Sequence, residues 1–203
     1  YALNEEKLKP YFRLENCIDA VFGLATKLYG ITFEPRMDIP VYHKDVKVYD
    51  VKDQDGRHLA LFYADFFPRP TKRGGAWMTE FRGQCIRNGV EERPFISIVT
   101  NFTKPTGSTP SLITHDELTT LLHEFGHSLH GMLAEGRYPS LCGTNVARDF
   151  VELPSQIMEN WAFEPEFLDN FAKDYKTGEV IPTELVNKIV RAKNYLSGYY
   201  QVR

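Results

Sequence analysis

The chain has 203 residues, 42% of them hydrophobic, enough for a substantial core and too many for a disordered segment. Its net charge of −3 comes from acids and bases scattered along the chain, which gives no nucleic-acid surface, and no apolar run reaches the length of a membrane span. Cys17, Cys85 and Cys142 are odd in number and widely spaced, so neither a disulfide framework nor a thiolate zinc site is indicated, and reduced, structural cysteines are expected.

In chain order, Leu14, Ile18, Val21, Phe22, Ala25 and Leu28 recur on one face and predict a helix over 13–29, ended by Gly30. From Val41 the pattern changes to alternation. Val46, Val48 and Val51, then Leu59, Leu61 and Tyr63, flank the turn signal Asp53-Gln54-Asp55-Gly56 and predict a β-hairpin. The basic cluster Arg69, Lys72 and Arg73 lies among prolines and glycines and reads as a solvated loop. Two further strands are predicted over 76–81 and 95–102, followed by a Pro/Gly/Ser/Thr loop over 103–111. Thr114-His115-Asp116-Glu117 has the form of a capping box, so a helix should begin at about 115. Beyond Gly136, helical patterns recur near 153–163, 165–176 and 183–202.

The helix that opens at 115 carries His123-Glu124-Phe125-Gly126-His127, an H-E-x-x-H pattern. Two histidines four positions apart lie about 40° from each other around a helix, so both imidazoles can reach one ion. Leu118, Leu121, Leu122, Phe125, Leu129, Met132 and Leu133 form one apolar stripe, and His123, His127 and His130 project from the other side, toward a cleft. The glutamate beside the first histidine is placed to serve a water molecule, and the whole reads as zinc hydrolysis of an amide bond.

Catalytic zinc usually takes three protein ligands. His130 has the chemistry but lies a full turn beyond His127. The longer H-E-x-x-H-x-x-G-x-x-H pattern also fails, since this chain has His130 and Leu133 where it needs glycine and histidine. Glu152, in Arg148-Asp149-Phe150-Val151-Glu152-Leu153-Pro154, would give a His₂Glu set, whereas Asp149 is equally suited to capping. Pro154 is comfortable only in the first turn of a helix, which puts Glu152 at or just before a helix start, or at a kink. Glu159 lies two turns beyond Glu152 on the same face and could accept from a ligand imidazole as well as simply meet solvent. Gly74-Gly75-Ala76 reads either as a tight turn or as a strand edge open to a peptide backbone.

With these residues in view, the chain resembles the thimet oligopeptidase and peptidyl-dipeptidase family of zinc peptidases. The resemblance rests on His123 to His130 (HEFGHSLH), the stretch Gly143 to Gln156 (GTNVARDFVELPSQ), Met158-Glu159-Asn160-Trp161, Ile39 to His43 and Gly74 to Met78, and it runs over nearly all 203 residues. Within the family, GTN-x-x-RDFVE looks more like the bacterial dipeptidyl carboxypeptidase branch than the oligopeptidase A branch. The resemblance implies one Zn²⁺ per chain held by His123, His127 and Glu152, with Glu124 as the catalytic glutamate, in a site of the gluzincin type. It implies short peptides as substrates, release of C-terminal dipeptides or, alternatively, internal cleavage, and a monomeric, cytoplasmic full-length protein.

The expected fold is α+β and mainly α, a small antiparallel sheet followed by a helical, zincin-type catalytic half. Residues 1–112 would supply the helix-plus-sheet portion and 113–203 the zinc-binding portion of a single catalytic domain. Tyr1 opens as if mid-domain and the far end stops inside a helical pattern, so the chain reads as an excised piece. The family's assisting tyrosine and histidine would lie beyond it, and an inert zinc-binding fragment is the remaining alternative.

Overall fold

The structure, a computed structural model, describes residues 5–193. Among these, six α-helices, α1 (Glu5–Leu8), α2 (Leu14–Tyr29), α3 (His115–Met132), α4 (Arg148–Glu159), α5 (Pro165–Phe171) and α6 (Thr183–Lys193), accompany seven strands. The strands are β1 (Thr32–Pro35), β2 (Lys47–Lys52), β3 (His58–Asp65), β4 (Trp77–Arg82), β5 (Cys85–Arg87), β6 (Val90–Glu92) and β7 (Phe95–Val99).

α2 forms where its apolar period predicts. Leu14, Cys17, Ile18, Val21, Leu24 and Ala25 are buried, and Gly30 ends the helix in the left-handed region (φ 70°), donating its N–H to Thr26. The β2–β3 hairpin also follows the sequence, with the Asp53 side chain accepting the N–H groups of Asp55 and Arg57 across the turn.

The sheet corrects the expectation of a purely antiparallel one. Its order is β1-β2-β3-β7-β4, with β3 and β7 parallel and the other pairs antiparallel. The chain leaves β3, forms β4 and the β5–β6 hairpin, and returns as β7 between β3 and β4. A strand inserted there runs opposite to β4 and therefore along β3, and the long excursion supplies the crossover that a parallel pair needs. Beyond Val99 the pairing continues as a ribbon, with Thr100 donating to the Asp65 carbonyl and Phe102 to that of Phe66.

Two other expectations change. Arg69 and Lys72 are not a solvated loop: both pair with Asp65, a carboxylate only 1% exposed at the end of β3. Arg69 donates both terminal nitrogens to it at 2.9 Å, Lys72 Nζ approaches at 3.0 Å, and the Tyr42 hydroxyl donates at 3.0 Å. A buried carboxylate requires such partners, and composition alone did not reveal that Arg69 and Lys72 supply them to Asp65. Helix α4 begins at Arg148, ahead of the expected 153, with Pro154 in its interior, so Glu152 sits inside the helix. The pattern near 165–176 ends sooner, at Phe171, and that near 183–202 is described only as far as Lys193.

Helix α3 lies across the sheet against β7, β4 and β3. Its start is the capping box foreseen at Thr114: Thr114 Oγ1 accepts the Glu117 N–H, and the Glu117 carboxylate accepts the Thr114 N–H. Phe125 is anchored among Phe22, Phe33 and Phe62, with ring centroids 5.9–6.0 Å away. Because Phe125 points into this aromatic cluster, His123 and His127, two positions to either side, must face away from the sheet.

Candidate metal centre

The apolar stripe of α3 turns His123 and His127 toward α4, and α4 comes unusually close. Gly126 permits this approach. A Cβ at that position would lie 2.6 Å from both the Pro154 carbonyl oxygen and the Ser155 Cα, so no larger residue fits without separating the helices. The close seam carries Glu152 to the histidines. Glu152 Oε2 lies 3.3 Å from His123 Nε2 and 3.2 Å from His127 Nε2, and the two rings are nearly perpendicular, with centroids 4.9 Å apart.

Zinc bonds of about 2.0–2.1 Å in a tetrahedral set would separate neighbouring N and O donors by about 3.3–3.4 Å. The observed spacings match that edge, and His123, His127 and Glu152 are the one group of metal-capable side chains that converges among the described residues. The residues therefore fit a zinc ion.

The surroundings hold the donors in a defined state. His123 Nδ1 is 2.6 Å from Glu159 Oε1, which favours the tautomer with the proton on Nδ1 and frees Nε2 as a lone-pair donor. Burial pushes His127 toward its neutral form, with the Glu152 carboxylate working the other way. Glu152 is held below the usual range by the hydrogen bond from Ser155, followed by the two histidines, against some desolvation. Glu124 is 8% exposed, and burial raises its pKa. Nearby His123 opposes the rise, Glu152 adds to it, and the Met78 N–H on β4 opposes it.

Of two clefts along α3, the first is lined by residues of this centre and the second is not. One, of about 350 Å³, is lined by Ala76, Thr119, Thr120, His123, Glu124 and Glu159. The other, of about 400 Å³, includes Leu129, His130, Cys142, Gly143 and Pro154. His130 thus stands outside the donor group, facing Phe150 at 6.3 Å and kept toward neutrality by burial. Asp149, exposed in the first turn of α4, is likewise not part of it. Two further histidines have structural partners: His58 Nδ1 lies 2.6 Å from Asp50, and His115 Nε2 donates to the Ala162 carbonyl at 2.7 Å. Sequence reasoning passed over Gly126 and Ser155. The signal for Ser155 was its i+3 spacing from Glu152, which places the two on one face.

Two imidazoles and a carboxylate converging on one point, beside a buried glutamate, have the chemistry of a donor set that metal-dependent hydrolases use. The chain belongs to peptidase family M3, whose model matches residues 1–203. It is 48% identical over 200 residues to dipeptidyl carboxypeptidase from Salmonella typhimurium and 47% identical over 200 residues to the Escherichia coli protein of that name. Each alignment covers 98% of this chain and 29% of the relative. Oligopeptidase A from Escherichia coli is 40% identical over 205 residues, covering all of this chain and 30% of that protein. The chain thus spans less than a third of the length of these relatives.

Proposed function

We propose that the chain forms the zinc-binding part of a peptidase that releases dipeptides from the C-termini of short peptides. The observation that carries this reading is the placement of one Glu152 oxygen 3.2–3.3 Å from both His127 Nε2 and His123 Nε2. Zinc bound there would supply Lewis acidity toward the scissile carbonyl and lower the pKa of a water toward ~7. Glu124, with its pKa raised by burial at the edge of the cleft, takes the proton of the attacking water and later delivers it to the leaving amine. Glu159 keeps His123 in the tautomer that leaves Nε2 free for the ion. β4 is the edge strand of the sheet and its Met78 lies beside Glu124, so an extended peptide paired along β4 would bring its backbone past that carboxylate.

Glu124→Gln in the full chain should retain one zinc and lose peptide cleavage; wild-type turnover in that variant would remove Glu124 from the role of base. Dipeptide release is favoured over internal cleavage by the higher identity to the two dipeptidyl carboxypeptidases. Digestion of one peptide with a free and with an amidated C-terminus separates the two: sequential dipeptides from the free form alone support the proposal, whereas equal internal cleavage of both supports an oligopeptidase.

A further inference from the structure

Glu152 presents a problem that its two histidine neighbours do not. Its side chain is 46% exposed, and a glutamate in that setting has many rotamers of similar energy. Something must select the one that faces the imidazoles.

Ser155 is placed to do so. It is fully buried in the seam between α3 and α4, its Cα directly opposite Gly126. Its Oγ lies 2.9 Å from Glu152 Oε2 and 2.9 Å from the Glu152 backbone carbonyl. That Oε2 is the same oxygen that lies closest to both imidazoles. The hydroxyl has one proton and two acceptors at equal distance. It can therefore follow the carboxylate and return to the carbonyl without leaving a buried donor unsatisfied. The seam leaves Ser155 no room to retreat, so the tether is anchored to backbone. Among the described residues, Ser155 is the only group other than the imidazoles with a hydrogen bond or ion pair to the Glu152 carboxylate.

We propose that Ser155 is a positioning residue for the metal centre, fixing the Glu152 carboxylate toward His123 and His127 through its hydroxyl. The inference rests on the ligand set of the proposed function. A serine that merely satisfied its own helix by bonding back to the residue-152 carbonyl would affect stability and leave the metal unchanged.

The test is Ser155→Ala in the full chain, which removes one oxygen and creates no clash. Zinc affinity is measured by competition with a chelator, the visible spectrum by replacing zinc with Co²⁺, and the melting temperature in the metal-free form. Zinc affinity is expected to fall roughly ten- to a hundredfold, as for other groups that orient a ligand. The Co²⁺ ligand-field bands should shift, while the metal-free melting temperature stays close to wild type. Zinc affinity within twofold of wild type with an unchanged Co²⁺ spectrum overturns the proposal, whatever happens to stability. Glu152→Ala is run alongside. If that variant keeps full zinc affinity, the ligand set itself is wrong; if it loses zinc while Ser155→Ala does not, only the role of Ser155 fails.

Discussion

Glu159 accepts from the Nδ1 of the same imidazole whose Nε2 faces Glu152, so His123 is gripped at both nitrogens by one helix. The two glutamates are seven residues apart, two turns of α4, and the imidazole bridges them. Glu159→Ala should therefore weaken zinc binding by roughly 10- to 100-fold while leaving the donor atoms in place. Glu159→Gln keeps an acceptor and should lose less. Chelator competition on both variants checks the ranking, and equal affinities for Ala and wild type would remove Glu159 from the site.

Gly126→Ala should be costly. The methyl would meet backbone atoms of Pro154 and Ser155 at 2.6 Å, and backbone cannot rotate aside as a side-chain tip can. Destabilisation of about 1–3 kcal/mol is expected from overpacking, together with loss of zinc as α4 is pushed away from α3. Gly74→Ala is the control, since nothing lies within 4 Å of the place its methyl would take. Denaturant unfolding and metal content, measured on both, should separate the two glycines.

Asp65→Asn tests the corrected reading of the basic cluster. The change leaves the Lys72 ammonium, 2% exposed, with no carboxylate paired to it among the described residues. Removing one partner of a buried pair typically costs about 3–5 kcal/mol. Burial alone would raise the Asp65 carboxyl, but Arg69, Lys72 and Tyr42 outweigh it and hold the pKa below the usual value. The stability this contributes is present above the unfolded aspartate value of about 3.9 and lost as pH falls through the lower folded value. Urea unfolding of the variant at neutral pH checks the size of the loss.

His115 gives a second pH dependence at a milder pH. Burial lowers its pKa, opposed by the hydrogen bond to the Ala162 carbonyl and by Asp116. The unfolded chain therefore binds a proton that the folded chain resists. Stability is fully present above the unfolded value of about 6.5 and declines as pH drops below it, by at most about 1.4 kcal/mol per pH unit for one proton. His115→Gln should flatten part of this slope between pH 7.5 and 5.5 in unfolding experiments.

Much of the centre was legible because its signals are local. The H-E-x-x-H spacing, the Thr114–Glu117 capping box and the apolar stripe of α3 each lie within one helix, where residue period and geometry correspond directly. Glu159 could be placed beside Glu152 for the same reason. What escaped was non-local. The insertion of β7 between β3 and β4 depends on a pairing that no strand announces in its own residues. Pro154 contradicts local helix preference yet lies inside α4, where its backbone packs against Gly126 of α3. Asn88 and Gly89, both at positive φ, turn the β5–β6 hairpin and form a dipeptide that does signal a tight turn; there the sign was present and unread.

The aromatic cluster around Phe125 bears on how the metal centre can fail. A helix held only by its ends could roll about its own axis, and a roll of a few degrees would swing both imidazoles sideways together. Phe125, wedged against Phe22, Phe33 and Phe62, acts as a key in a slot that forbids this rotation. The angular tolerance of His123 and His127 in the proposed zinc site is thus set on the opposite side of the helix, by hydrocarbon that would never meet an ion. Trimming Phe62 to leucine would loosen the slot from a distance and so disturb the geometry of the proposed metal centre from a residue with no chemical part in it.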